Sequence, residues 1–135
     1  VTKAAELKEL KSLKRKCLSL WRIVVKLRAG GRCESGCKVT KALHCHHIES
    51  YSTNKALRYD PRNGGLLCAS HHKFGKMSAH KSFVFMYLLM TGKRKSDLDY
   101  LVEHFNDKIE ITKEYLLDKI NELETTIESL KGGGS

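Results

Sequence analysis

The sequence predicts an α+β fold, with long amphipathic helices at both ends and two short strands in a turn-rich middle. Three observations carry that prediction. Apolar residues recur at three- and four-residue spacing in the first 30 residues and again beyond residue 96. Between those stretches Gly30, Gly31, Gly36, Gly64, Gly65 and the single proline, Pro61, cut the chain into short apolar runs. Six of the seven histidines and four of the five cysteines fall between residues 33 and 80.

The first element, within residues 1–29, is a basic amphipathic helix. Leu10, Leu13, Cys17, Leu20, Val24 and Leu27 form its stripe, Lys8, Lys11, Lys14, Arg15, Arg22 and Lys26 lie between them, and Gly30-Gly31 ends it. Residues 30–91 form the middle: apolar runs at Ala42–Ile48 and Gly65–Ala69 predict two strands joined by an irregular loop over 49–63. A helix then begins near Ser70, is disturbed at Gly75 and resumes from Ser78 to Met90. The last element is a helix over 96–130, with Ser96 as its cap and Asp97 and Asp99 in its electropositive first turn. Its stripe is Val102, Ile109, Leu116, Ile120, Leu123, Ile127 and Leu130.

From Leu116 onward that stripe takes a heptad form, with isoleucine at a and leucine at d. Only about two heptads are present, short of the three or four a coiled coil needs, and Asn106 and Lys113 fall at a positions. Packing on the N-terminal helix within a monomer is therefore expected ahead of a homodimer through the C-terminal helix. One domain spans 1–131; the start without Met and the run Gly132–Ser135 read as artificial boundaries, and that tail is excluded from fold reasoning.

The formal net charge is +10, unevenly spread. Residues 1–30 carry nine Lys/Arg against two acids, residues 31–83 nine against three, and residues 84–135 seven against ten. The first two-thirds therefore suit a polyanion, and DNA is favoured over a membrane surface because phosphate neutralisation releases counterions. The longest apolar runs, Ile23–Val25 and Phe83–Met90, fall short of the roughly 20 residues of a bilayer span. A soluble, intracellular protein is expected. Five cysteines interleaved with histidines fit metal binding in a reducing compartment better than a disulfide framework.

Cys33 and Cys37 sit on a glycine-rich turn, and Cys68 and His71 at a strand-to-helix junction. Two such pairs suit a closed structural zinc site. Cys17, on the helix stripe, is expected in the core; Cys45 is expected as buried packing and as the reserve ligand. His46, His47 and His72 then remain. Successive side chains of a strand face opposite ways, so His46 and His47 divide the work: one binds metal, the other handles a proton.

The order C-x3-C, HHI, an asparagine in a proline-containing loop, then LC-x2-HH resembles the HNH nuclease family. The resemblance covers residues 30–83. The stretches LRYDPRNGGLLC and HHKFGKMSAH are similar in particular to small phage-encoded HNH endonucleases. It implies a ββα-metal core flanked by the two long helices, with His47 as the proton acceptor and Asn63 as the middle asparagine. His72 is the closing histidine, on the first turn of the helix, and shares a catalytic divalent ion with His46. The ion would be Mg2+, or another such as Mn2+ or Ni2+. Relatives usually carry CxxC pairs at the zinc; here one pair is stretched and the other ends in His71.

The activity implied is metal-dependent hydrolysis of DNA phosphodiester bonds, leaving 5′-phosphate and 3′-hydroxyl ends, in a host-cell cytoplasm if the chain is phage-encoded. Arg58, Arg62, Lys73, Lys76 and His80 are the expected DNA contacts. In an unbroken helix His80 would lie about 12 Å along the axis from His72, too far to share an ion, so it is expected as a phosphate contact unless a break at Gly75 brings the two together. His44 and His104 are expected as a strand-flank and a helix-surface histidine. The alternative function is a non-catalytic, zinc-stabilised DNA-binding accessory of phage recombination or packaging.

Overall fold

The computed structural model describes residues 2–132 and has four α-helices and one two-stranded sheet among them. Helix α1, Lys3–Arg28, starts where the Thr2 hydroxyl accepts a hydrogen bond from the Ala5 N–H. It ends where Gly30 and Gly31 take φ of 69° and 71°. Cys17, Leu20, Trp21, Val24 and Val25 are its buried face, whereas Leu27, expected on the stripe, is 36% exposed. Trp21 thus holds a place the periodic reading left out.

Strands β1, His44–His47, and β2, Gly64–Leu67, are antiparallel, with His44 opposite Leu67 and His47 opposite Gly64. The pair lies against α1. A Cβ at Gly64 would come within 2.4 Å of Val25 Cγ2 and 2.7 Å of Trp21 Cζ2, so only glycine allows this approach. The connecting loop closes on Asn63, at the end of a 3-10 turn over Pro61–Asn63.

The helix expected from Ser70 is a single π-helical turn, Ser70–Phe74. The chain then doubles back: the Gly75 N–H donates to Ser70 O, Ala79 N–H to His71 O and His80 N–H to His72 O. A Cβ at Gly75 would sit 2.9 Å from the Ser70 carbonyl oxygen, which is why the reversal falls there. Helix α2, Phe83–Lys93, begins later than expected, capped by the Ser82 hydroxyl rather than near Ser78.

The single C-terminal helix expected over 96–130 is two helices, α3, Lys95–His104, and α4, Lys113–Gly132. The break has local causes. The Asn54 side-chain amide donates to Phe105 O just past the end of α3, and the Thr112 hydroxyl accepts from Tyr115 N–H at the head of α4. Ser96 is not the cap: α3 starts one residue earlier, and Asp97 is buried between Arg28 and Arg94 at 2.9 and 2.7 Å. Val102 is 62% exposed, so the inward face of α3 is Asp97 and Leu101 instead.

Leu123 and Ile127 of α4 pack with Leu20, Trp21, Val24 and Val25, and Leu116 packs with Cys17 and Tyr59. The heptad-like face is therefore covered by α1 within the chain. A second core joins Leu57, Leu67, Phe85, Leu89, Met90 and Leu101 with the thiol-bearing Cys33 and Cys68. Among the described residues no helix is long and apolar enough to cross a membrane. Gly132 closes α4, and residues 133–135 of the expected tail lie outside the described residues.

Candidate metal centres

Cys33, Cys37, Cys68 and His71 bring one donor atom each within 4.8 Å of the others, close enough to bind one metal ion. Cys37 Sγ and Cys68 Sγ are 3.8 Å apart, and His71 Nδ1 lies 3.8 Å from Cys33 Sγ and 3.2 Å from Cys68 Sγ. Metal–ligand bonds of about 2.3 Å to sulfur and about 2.0 Å to nitrogen, arranged tetrahedrally, give edges of roughly 3.8 and 3.5 Å, so the donors already approximate the shell of a closed zinc site. The turn that presents Cys33 and Cys37 passes through left-handed Gly36 and Lys38, at φ 88° and 69°. The Ser35 hydroxyl, followed by the main chain at Val39, holds the exposed Cys37 thiol down at about 6. Burial pushes the Cys68 thiol up, a cost that metal coordination would offset.

Glu34 ties this turn to the rest of the molecule. Its carboxylate accepts from Leu66 N–H at 2.6 Å and pairs with Arg94 at 3.2 Å. Cys45 stays outside the cluster, with its thiol donating to Arg22 O at 3.8 Å, and Cys17 is fully buried in the core as expected.

A second group, His46, His72 and His80, also has donor atoms within 4.8 Å of one another. Here His80, expected as a phosphate contact unless a break at Gly75 brought it to His72, joins the group: the reversal at Gly75 brings its Nε2 to 3.0 Å from His72 Nε2. His44 is more than a strand flank. Its Nδ1 is 2.9 Å from His72 Nδ1, and that contact fixes the His72 ring and leaves Nε2 facing the cluster. Burial, followed by the charges of neighbouring imidazoles, lowers both His46 and His72 to about 4. Both are neutral at physiological pH, the form that binds metal.

His47 points the other way. Its ring stacks on Trp21, with centroids 3.8 Å apart and planes 8° from parallel, and its Nε2 lies 2.9 Å from Arg58 O. A carbonyl only accepts, so Nε2 carries the proton and Nδ1 keeps its lone pair. Burial lowers its pKa, opposed by the Arg58 carbonyl and assisted by the charges of Arg22 and Arg58. An open cleft of about 420 Å3 is lined by His46, His47, Tyr51, His72, Lys73 and His80, so the free imidazole and the three clustered ones share one solvent space.

Asn63, the middle asparagine of the resemblance, is fully buried and bonded to the backbone of the loop. Its amide donates to Glu49 O and Leu57 O and accepts from Glu49 N–H, which brackets the loop that carries Arg58. Asn63 thus positions His47 through the backbone rather than by touching it. Of the expected DNA contacts, Arg58 is 8% exposed, with Nε bonded to Tyr51 O. Arg62 is held by Asp60 at 2.8 Å and lies over the Tyr100 ring. Neither projects freely. Lys73, Lys76 and His80 are exposed, and so are Arg22 and Lys26 of α1, near β1.

Comparison with protein-family models, curated proteins and solved structures gives no match to this chain.

Two features of the site escaped the sequence: Trp21 as the platform for His47, and His44 as the partner of His72. The bare motif HCHH held a signal for the second, since alternation puts His44 and His46 on one face of β1.

Proposed function

We propose that the chain is a metal-dependent DNA endonuclease of the HNH type, built on a ββα-metal core with a structural zinc at Cys33, Cys37, Cys68 and His71. The observation that carries this reading is the pairing of one free imidazole with three clustered ones in a single cleft. His46, His72 and His80 can hold a divalent ion such as Mg2+, Mn2+ or Ni2+, which when bound would supply positive charge to the scissile phosphate. Three neutral ligands leave that charge unspent.

His47 is the general base. Its Nδ1 lone pair accepts a proton from water as the water oxygen attacks phosphorus and the bond to O3′ breaks; O3′ leaves with the bonding pair and takes a proton from solvent, which gives 5′-phosphate and 3′-hydroxyl ends. The Arg58 carbonyl fixes the tautomer and then stabilises the imidazolium through Nε2–H. Trp21 keeps the ring from rotating out of line. A binding protein has no use for a base so held beside spare ligands. Lys73, Lys76, Arg22 and Lys26 offer exposed cations to the phosphate backbone.

The test is conversion of supercoiled plasmid across a Mg2+, Mn2+, Ni2+ and Zn2+ series, with nicked and linear products resolved. Cleavage by the wild type and background levels for His47→Ala are expected. DNA binding with no cleavage under any ion would replace this reading with that of an accessory DNA-binding protein.

A further inference from the structure

Helix α2 leaves an apolar face open beside the metal cleft. Phe83 is 83% exposed, Val84 57%, Tyr87 55% and Leu88 56%. A groove of about 530 Å3 runs from Phe83 and Tyr87 across to Ile48 and Glu49, and its walls include His46 and His80. It is therefore continuous with the imidazole cluster. Met90, buried, and Met86 and Leu98, partly buried, make its base apolar. The Phe83 and Tyr87 rings lie 6.3 Å apart with planes 27° from parallel.

The chemistry of this groove is wrong for a phosphate backbone and right for a base. Glu49, half-buried in its wall, brings a carboxylate that repels phosphate but accepts from the exocyclic amino groups of cytosine or adenine. Exposed aromatic faces favour stacking, which sequence-tolerant single-strand binders use at roughly 1–3 kcal/mol per base. Lys81, exposed on the rim, donates from Nζ to Phe74 O at 3.2 Å and has two further N–H donors to offer the neighbouring phosphate. Bases inside a duplex are already stacked and cannot offer a face to the rings.

Resting on the nuclease reading, we propose that the groove between Glu49 and the rings of Phe83 and Tyr87 binds an unpaired nucleobase next to the scissile phosphate. The substrate is then single-stranded or locally unpaired DNA. A second copy of the chain is the competing occupant. The carboxylate, the rim lysine and the shared histidines favour the base.

The test has a binding arm that needs no cleavage. A single-stranded oligonucleotide carrying one 2-aminopurine is titrated with zinc-loaded protein without added divalent ion. Wild type is expected to quench the fluorophore and to bind roughly tenfold or more tightly than Phe83→Ala/Tyr87→Ala, the loss expected from stacking contacts. Both side chains are more than half exposed, so the double variant should keep its zinc content and melting temperature.

In the cleavage arm, wild type should cut a duplex with a short unpaired bubble at least about tenfold faster than the matched duplex, from the same stacking term. The double variant should lose that preference, its rate on the bubble falling toward its own rate on matched duplex. Quenching lost in the variant, with no cleavage of any DNA by either protein, leaves the groove assigned and defeats the nuclease reading alone. Plasmid cleavage with neither quenching nor bubble preference defeats the groove alone. A concentration-dependent dimer that the double variant dissolves, again without quenching, gives this face to a second copy and overturns the proposal.

Discussion

Adjacent residues His71 and His72 face different clusters, one built largely of thiols and the other wholly of imidazoles. His71 turns its Nδ1 toward Cys68 and stacks on Phe85, in a set of four donors of which Cys33 and Cys68 belong to a core with Leu67 and Leu89. His72 turns toward His80 and His46, in a set of three imidazoles open to solvent on one side. Four ligands that include thiolates saturate an ion and leave it no room for chemistry. Under the proposed nuclease reading, three imidazoles facing a cleft would leave coordination positions for substrate and water.

The largest effect that would sharpen this contrast is loss of a thiolate. Structural zinc in small domains is worth about 10–16 kcal/mol of apparent folding energy at neutral pH, comparable to the whole net stability of a domain. Cys68→Ala should therefore lose its bound metal and its cooperative thermal transition together, while His80→Ala keeps both. Metal analysis and calorimetry read this directly. A Cys68→Ala protein that melts like wild type would mean that the closed cluster does not hold the fold.

The next effect belongs to the free imidazole. His47→Ala should lower plasmid cleavage by about 10²–10⁴-fold, the usual worth of a positioned general base, with metal content unchanged at both clusters. If the variant instead lost metal, His47 would belong to a cluster after all, and the division between neighbouring histidines would collapse.

The parts of the molecule readable in advance are those governed by local rules. The zinc-type quartet was legible because its residues fall in two short pairs flanking turns, and the strands because Ala42–Ile48 and Gly65–Ala69 are short apolar runs bounded by breakers. The placement of His80 was left hanging on a break at Gly75, because the Ala79-to-His71 and His80-to-His72 backbone bonds that fix the reversal are not encoded by spacing. The single helix over 96–130 failed for a related reason. The partner that terminates α3 is Asn54, 51 residues upstream of Phe105, and no local window sees it. Arg58 and Arg62 were read as free cations because charge is visible in sequence and burial against Tyr51 and Tyr100 is not.

A smaller effect tests the support of the open cluster. His44→Ala removes the ring that orients His72, and such outer partners are typically worth about 10–100-fold in metal affinity. Titration of the divalent-ion dependence of cleavage should show a weaker apparent affinity, with near wild-type rates restored at high ion concentration. A loss of rate that excess ion does not restore would assign His44 a direct part in the chemistry.

The smallest effect is a pH slope that belongs to the open cluster alone. In the folded chain without an ion at this cluster, His46 and His72 take up protons only near about 4, chiefly because burial disfavours their charged forms. In the unfolded chain they do so near 6.5. As pH falls below 6.5 the unfolded state therefore binds protons that the folded state refuses, so stability is flat above that pH and declines toward about 4. Both rings are only part-buried, so solvent screening tempers the slope that each contributes. Urea unfolding across this window should show the decline in wild type and a shallower one in His46→Gln. An identical slope in both proteins would place the acid sensitivity in the thiolate cluster instead, since protonating Cys37 also opposes metal binding there.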